Sequence, residues 1–216
     1  MNTKGSRIED ALFIAQLVIA WTFSIPQIMR MRESTAGITI AFYILFMAFI
    51  LVNLTLARRA YKAEPSRSRR QAVIVYWNWA LLIGGHLVVL YGAPWRPTDT
   101  YFMIAVAVTT AVVLSISKTI YGLGYSDSII RGIVACICKA GPQCYLAYCI
   151  ISDSSGGGLA ATTVWTGHLS VIIRFGHIAY CGRETGMDRN IKGMLLSEGG
   201  NELSWICVTA AWLYCQ

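Results

Sequence analysis

The sequence predicts an all-α membrane protein with seven transmembrane helices. Only 13% of the 216 residues are charged, whereas about 25% is typical of soluble domains, and 56% are hydrophobic. The apolar residues form stretches long enough to cross a hydrocarbon core of about 30 Å. A soluble core could not bury so much apolar surface. The composition therefore excludes a disordered chain, collagen, a coiled coil and a soluble enzyme.

The predicted spans cover residues 10–29, 37–57, 72–92, 101–117, 129–151, 159–181 and 193–215. The first is a retained helix and not a signal peptide, because Pro26 and Gln27 lie within it and no small-residue cleavage site follows. A polar turn at 34–39 separates it from the second span. The basic loop 58–70 separates the second span from the third.

The last four spans differ in their charges. The fourth has no charged residue and is the clearest, while the fifth contains a second Pro-Gln pair. A turn rich in Ser and Gly at 154–158 precedes the sixth span, which contains Arg174. The seventh is the weakest, because Glu198 and Glu202 lie in its first half.

Lys and Arg predict the orientation, because cytoplasmic loops of membrane proteins carry more of them. The N-terminus and the loops after spans two, four and six contain Lys4, Arg7, Arg58, Arg59, Lys62, Arg67, Arg69, Arg70, Lys118, Arg183, Arg189 and Lys192. The opposite side contains Arg30, Arg32 and Arg96, and Arg131 fits either side. We therefore expect a multi-pass protein of a cell membrane, such as a bacterial inner membrane, with its N-terminus in the cytoplasm.

The loop 58–70 is interpreted mainly as a topology anchor. The alternative is a patch for anionic lipid headgroups. Nucleic acid is excluded as a partner, because the basic residues lie in one short loop beside the membrane.

An internal duplication is the most informative pattern. Pro26-Gln27 precedes the turn Ser-Thr-Ala-Gly-Ile-Thr at 34–39, and Pro142-Gln143 precedes Ser-Ser-Gly-Gly-Gly-Leu at 154–159. Two further helices follow each turn. The pattern predicts a 3+1+3 arrangement of two parallel three-helix repeats joined by a linker helix, with residues 1–98 as the first bundle, 99–124 as the linker and 125–216 as the second bundle.

Proline within a helix removes one hydrogen bond and bends the helix, so Pro26 and Pro142 are candidate hinges. The neighbouring Gln27 and Gln143 could each donate to a carbonyl that the proline leaves free. The alternative is a static kink that serves packing only.

The stretch from Pro26-Gln27 to 34–39 resembles the signature of PQ-loop repeat proteins, which include SWEET and SemiSWEET sugar carriers and cystinosin-like exporters. The second motif resembles it with a turn longer by about four residues. The resemblance covers almost the whole chain and implies a solute carrier that works by alternating access. Spans two and six contain no proline, unlike those of sugar-carrying members. Members usually place the N-terminus outside, so the resemblance and the charge pattern give opposite orientations.

The resemblance also implies a substrate site near the membrane midplane. Asn78 and Asn201 match an asparagine pair that hydrogen-bonds sugars in SWEET-like carriers, and Trp165 matches a position for a stacking tryptophan. Trp77 or Trp79 in the third span is a further stacking candidate. The alternatives are interhelical hydrogen bonds for the asparagines and packing or interface anchoring for the tryptophans.

Charged residues within the spans are costly in hydrocarbon and normally face a cavity or a partner. We expect Lys139 or Arg174 to bind a substrate carboxylate or phosphate. Glu198 and Glu202 are the expected counter-ions. Proton coupling is assigned to four candidates, namely Glu198, Glu202, His168 and His177. The alternatives are a buried structural ion pair and a side chain that snorkels to the membrane interface.

These observations favour a transporter of a small polar solute, such as an amino acid, carboxylate or sugar, with proton coupling left open. The sequence contains no catalytic motif, and no enzyme activity, cofactor or metal is expected. Partners would be the solute, membrane lipid and, as an open question, further copies in a homo-oligomer. A receptor or sorting protein on the same fold, similar to the KDEL receptor, and an assembly factor without a ligand are the alternatives.

Overall fold

The computed structural model describes the backbone of residues 3–216 and the side chains in this range except those of 3–9, 181, 184 and 185. It is 83% helical, without strands in the described range, and it contains seven helices. These are α1 Thr3–Glu33, α2 Ile40–Ala63, α3 Arg67–Val89, α4 Pro97–Tyr121, α5 Ser128–Ser152, α6 Ala161–Thr185 and α7 Arg189–Tyr214. The predicted all-α class is confirmed. Lys4 and Arg7, which contributed to the predicted orientation, lie outside the described side chains.

Five helices are long and apolar enough to cross a membrane within the described range: α1 from Asp10 onward, α2, α3, α4 and α5. The other two have similar lengths of 25 and 26 residues. Their sequences include Arg174, Glu198 and Glu202, which lower the mean hydropathy. The spanning of α6 and α7 therefore stays a prediction.

Local sequence explains where the helices begin and end. The side chains of Thr39, Ser66, Asp127 and Asp188 each accept a hydrogen bond from a backbone N–H in the first turn of α2, α3, α5 and α7. Gly122 ends α4 with a φ of 66°, a left-handed conformation that glycine adopts without strain.

We call α1–α3 the first helix group and α5–α7 the second helix group. In the first group α3 packs against both α1 and α2, and in the second α7 packs against both α5 and α6. Contacts of α1 with α6 and of α2 with α5 join the groups, and α4 contacts α2 and α5. Helices α5 and α7 approach closely at Gly132 and Gly193, where a Cβ on Gly193 would lie 2.1 Å from the carbonyl oxygen of Ser128.

Consecutive helices run in opposite directions, so the connections lie on two faces. We call the face with the start of α1 and the connections 64–66, 122–127 and 186–188 the N-terminal face. The C-terminal face carries the connections 34–39, 90–96 and 153–160 and the end of α7. Ion pairs join elements on the N-terminal face, between Arg67 and Asp10 and between Arg189 and Asp127.

Candidate functional site

The second Pro-Gln pair changes the geometry of α5. Pro142 has no backbone N–H, and the five residues Cys136–Ala140 before Gly141 form a π-helical turn in which the N–H of Gly141 donates to the carbonyl of Cys136. Lys139 lies in this turn and is only 7% exposed. The turn thus places a lysine inside the helix group.

The first Pro-Gln pair does not produce a π turn. Helix α1 stays α-helical through Pro26. Phe23 stands three residues before Pro26, as Lys139 stands before Pro142. Its carbonyl accepts a hydrogen bond from the Thr163 hydroxyl at 2.8 Å, which ties α1 to α6.

A cavity of about 480 Å³ lies between the two helix groups. Exposed Ser68 and Asn190 line its outer end on the N-terminal face, and Trp79 and Lys139 line it in the interior. Its two walls differ in chemistry. Helices α1–α3 provide large aromatic side chains and amides, namely Phe13, Phe46, Phe49, Tyr76, Trp79, Gln16, Asn53 and Gln71. Helices α5–α7 provide the charged side chains, namely Arg131, Lys139, Arg174 and Glu198, together with His177.

Three of these charges form one cluster. A carboxylate oxygen of Glu198 accepts from Lys139 Nζ at 3.1 Å and from Arg174 Nη1 at 3.2 Å. The side chains are 12%, 8% and 25% exposed, respectively. Glu198 is thus the shared counter-ion of two cations from different helices. Glu202, the other expected counter-ion, contacts neither cation and lies beside His168.

Arg131 adds a further cation nearer the outer end. Its guanidinium donates to the Ser128 hydroxyl, and it pairs with no carboxylate in the described part of the chain. Arg131, Lys139 and Arg174 against Glu198 leave the described lining with a net charge of +2 when His177 is neutral. Such a cavity attracts anions.

An ion pair stabilises the N-terminal face beside the cavity. The guanidinium of Arg189, on α7, donates to Asp127 at the start of α5 and holds the pKa of that carboxyl below its usual range. Because the pKa is lowered in the folded protein, this contact stabilises the fold at neutral pH. Its contribution is lost as the pH falls through the lowered pKa.

The C-terminal face is closed by contacts between the helix groups. The buried Gln27 side chain donates to the carbonyl of Gly158 at 2.8 Å and accepts from the N–H of Ala160 at 2.9 Å. Arg30, one turn further along α1, donates to the carbonyl of Gly157. Gln27 therefore binds the turn of the other group, and not the backbone of its own helix as the sequence led us to expect.

A second layer of contacts involves the start of α4. The Asp99 carboxylate accepts from the Thr39 hydroxyl of the first group at 2.7 Å and from the Tyr145 hydroxyl of the second group at 2.8 Å. Arg96 forms an ion pair with Asp153, which also accepts from the N–H of Gly37. The start of α4 thus holds both helix groups together on the C-terminal face.

Gln143 has different partners from Gln27. Its amide donates to the Asn201 side chain at 3.0 Å and accepts from the Ser204 hydroxyl. Both partners lie on α7, within the same helix group. Asn201 is buried and does not line the cavity.

Three further substrate candidates also lie outside the cavity lining. The Asn78 amide oxygen accepts from Trp21 Nε1 at 2.9 Å, which joins α3 to α1. Trp77 and Trp165 are 46% and 58% exposed and point outward. Of the predicted substrate set, the structure brings Lys139 and Arg174 together at the cavity, with the alternative stacking candidate Trp79 on the facing wall.

The proton-coupling candidates separate into two places. His177 and Glu198 line the cavity. His168 lies between α6 and α7, where its Nδ1 is 2.7 Å from a Glu202 oxygen and its Nε2 is 2.8 Å from the Thr209 hydroxyl. In the described residues, no group of three or more His, Cys, Asp and Glu side chains could hold a metal ion.

Several residues at the two faces were not singled out from the sequence. Arg131 lies eight residues before Lys139, a spacing that could have placed both on one face of α5. The contacts of Asp99 and Asp153 carry no sequence signal, because their partners lie on helices far along the chain. Asn53, within α2, also lines the cavity and was not among the predicted site residues.

Comparison with known proteins leaves the chain without an assigned family. No protein-family model matches it, no curated protein matches it, and no solved structure matches it. The resemblance to PQ-loop repeat proteins therefore stays a prediction that rests on its motifs.

Proposed function

We propose that the protein is a membrane carrier for a small organic anion and that it works by alternating access. One observation carries the proposal. A cavity reaches from the N-terminal face to a buried cationic cluster between two helix groups, while contacts between the same groups close the C-terminal face. A site that is accessible from one side only is what a carrier requires in each of its two states.

The helix contacts support the 3+1+3 arrangement that this proposal requires. Helix α3 lies between α1 and α2, as α7 lies between α5 and α6, and α4 belongs to neither group. In this proposal all seven helices span the membrane, and α6 and α7 tolerate their charges because Arg174 and Glu198 face the cavity and each other.

The cavity chemistry favours an anion with an apolar part. Its volume is in the range of small-molecule sites, and its net positive charge disfavours a neutral sugar. A carboxylate or phosphate would bind between Lys139 and Arg174, since both can donate to anionic oxygens. Tyr76 and Trp79 on the facing wall would contact the apolar part.

The structure then represents the state open towards the face that the charge pattern predicts to be cytoplasmic. The opposite state requires the Gln27 contacts to break and the N-terminal face to close. In the proposed motion the two helix groups rock against each other. The helices α1 and α5 bend at Pro26 and Pro142, which are their weakest points.

Flux into proteoliposomes tests the proposal. We expect saturable uptake of a labelled aliphatic or aromatic carboxylate, and at least tenfold lower uptake for the variants Lys139→Met and Arg174→Met. Lys118→Met is the matched control, because it removes a positive charge at an exposed position at the end of α4, and it should transport normally.

Two results would contradict the proposal. Saturable binding without flux, measured with the same labelled carboxylates, would favour a receptor on this fold. Normal flux in both cavity variants would show that the cationic cluster does not bind the solute.

A further inference from the structure

The cavity contains cations at two depths along α5. Lys139 lies in the π turn, and Arg131 lies eight residues earlier, nearer the N-terminal face. Both side chains line the cavity. Eight residues correspond to about 12 Å along the helix axis. The cavity therefore has an inner cationic position, where Lys139 and Arg174 meet, and an outer cationic position at Arg131.

The π turn helps to bring both side chains to the same wall. In an uninterrupted α-helix, eight residues turn about 80° beyond two complete turns, so Lys139 would point to one side of Arg131. The π turn at Cys136–Ala140 is closed by a hydrogen bond that spans one residue more than in an α-helix, and this takes up part of the angle. Lys139 and Arg131 thus face one cavity at different depths.

Arg131 is a half-buried cation that pairs with no carboxylate in the described part of the chain. The carboxylate one turn before it, Asp127, binds Arg189 instead. The guanidinium of Arg131 donates to the Ser128 hydroxyl at 3.2 Å, which uses one of its five N–H donors. The other donors are available for an anionic oxygen in the cavity.

The facing wall connects the two cationic positions. The charges of Arg131 and of Arg174 both act on the hydroxyl of Tyr76, so this side chain lies within range of the inner and of the outer position. Tyr76, Val75 and Phe46 line the same cavity. An apolar chain that extends from one position to the other would therefore contact apolar side chains of the first helix group.

We propose that the solute has two anionic groups joined by an apolar chain, one group bound by Lys139 and Arg174 and the other by Arg131. The inference rests on the proposed carrier function and specifies the solute of the same site. Charge balance supports it, because these three cations and Glu198 give the described lining a net charge of +2. Two negative charges neutralise this lining, whereas a monoanion leaves one positive charge without a partner in a low-dielectric region.

The distance between the cationic positions sets the length of the solute. Of about 12 Å along the axis, a hydrogen bond of about 3 Å at each end leaves about 6 Å for the solute itself. With carbon–carbon bonds of about 1.5 Å in a zigzag chain, this is the length of a six-carbon dicarboxylate such as adipate. The four-carbon succinate is too short to reach both positions.

Calorimetric titration of the purified protein in detergent tests the solute class without transport. Adipate and hexanoate form a matched pair, because both have six carbons and differ in the second carboxylate. We expect adipate to bind roughly tenfold more tightly than hexanoate, which is the effect of one additional charge-assisted hydrogen bond. Equal affinities for the two acids would overturn the proposal.

Succinate separates the position of the outer cation from the total charge. It carries the same two negative charges as adipate, and we expect it to bind roughly tenfold more weakly, because it loses the contact with Arg131. Equal affinities for succinate and adipate would show that total charge alone determines binding. That result would also overturn the proposal.

Arg131→Met tests the outer position directly. We expect its affinity for adipate to fall roughly tenfold, to the level of hexanoate, and its affinity for hexanoate to change by less than about twofold. Arg174→Met should weaken both acids, because it removes a contact of the carboxylate that they share. Arg70→Met is the matched control, since Arg70 is an exposed arginine of α3 that does not line the cavity, and it should bind both acids normally.

An equal loss of both acids in Arg131→Met would overturn the role of Arg131. If this variant does not fold, the comparison of the three acids on the wild-type protein decides the proposal. Flux of labelled adipate into proteoliposomes separates this inference from the carrier function. Preferential binding of adipate without flux would support the two-anion site and contradict the carrier, whereas equal flux of adipate and hexanoate would support the carrier and overturn the two-anion solute.

Discussion

At the scale of single residues, Glu198 balances two cations from different helices. Lys139 lies in the π turn of α5 and Arg174 lies in α6, and both donate to the same carboxylate oxygen. Removing one cation leaves a neutral pair, whereas removing the carboxylate leaves two buried positive charges that repel each other. The three residues are therefore not equivalent for stability.

We expect Glu198→Gln to lower the free energy of unfolding by about 3–5 kcal/mol, the usual cost of leaving a buried charge without its partner. Lys139→Met replaces the lysine by an apolar side chain of similar length and leaves the Arg174–Glu198 pair intact, so its cost should be roughly 1 kcal/mol or less. Unfolding of both purified variants in detergent measures the difference. Equal loss in the two variants would show that Glu198 has no special role.

The sequence predicted some of these residues and not their partners. Lys139, Arg174 and Glu198 were recognisable because charges within apolar spans need a partner. The partner of Gln27 was not recognisable, because Gly158 is 131 residues away and contributes a backbone carbonyl that any residue would have. Asn78 was singled out by its match to an asparagine of SWEET-like carriers, but its contact with Trp21 depends on how α1 and α3 rotate against each other.

At the scale of helices, α6 and α7 pack closely at a glycine. Trp205 of α7 donates from Nε1 to the carbonyl of Val164 at 2.8 Å, and its indole lies against Gly167. A Cβ on Gly167 would be 2.0 Å from Nε1 of Trp205. The same helix offers an internal control, because a Cβ on Gly176 would meet nothing within 4 Å.

Gly167→Ala should therefore destabilise the protein by about 1–3 kcal/mol, because the indole must move and lose its hydrogen bond. Gly176→Ala should be neutral or slightly stabilising, since alanine is favoured in helices by up to about 1 kcal/mol. Thermal unfolding in detergent compares the two variants. The same cost in both would contradict the close packing at Gly167.

Helices were predictable to different degrees. Five helices can be recognised as membrane spans from their length and apolar composition alone, because the thickness of the hydrocarbon core determines how many consecutive apolar residues a span needs. Pro142 indicated a distortion in α5, but not that it would take the form of a π turn at Cys136–Ala140. The same residue pair in α1 leaves the helix α-helical, so neighbouring packing, and not proline alone, determines the outcome.

At the scale of the whole molecule, the two Pro-Gln pairs serve different contacts. Gln27 bonds across the two helix groups on the C-terminal face, and Gln143 bonds to α7 within its own group. The internal duplication predicted equivalent roles for both. Both glutamines lie towards the C-terminal face, so the difference arises from what packs beside each: the turn 153–160 reaches Gln27, whereas Gln143 faces α7.

Gln27→Ala should open the C-terminal face more often. It removes two buried hydrogen bonds of about 1 kcal/mol each, which corresponds to a roughly 30-fold change in population. A cysteine at the fully buried Ser24, in a background without other cysteines, should then react faster with an impermeant thiol reagent added on that side. Gln143→Ala is the matched control and should leave the reaction slow. Equal acceleration in both variants would contradict the proposed closure by Gln27.

The positive lining of the cavity has an electrical consequence. A membrane voltage acts on net charge that changes sides, with about 2.3 kcal/mol per elementary charge per 100 mV. Over a full cycle of the proposed carrier the charges of Arg131, Lys139, Arg174 and Glu198 return to where they began. Each anion that crosses alone then moves its negative charge across the membrane. A cell with a negative interior would therefore favour export of the solute over its uptake.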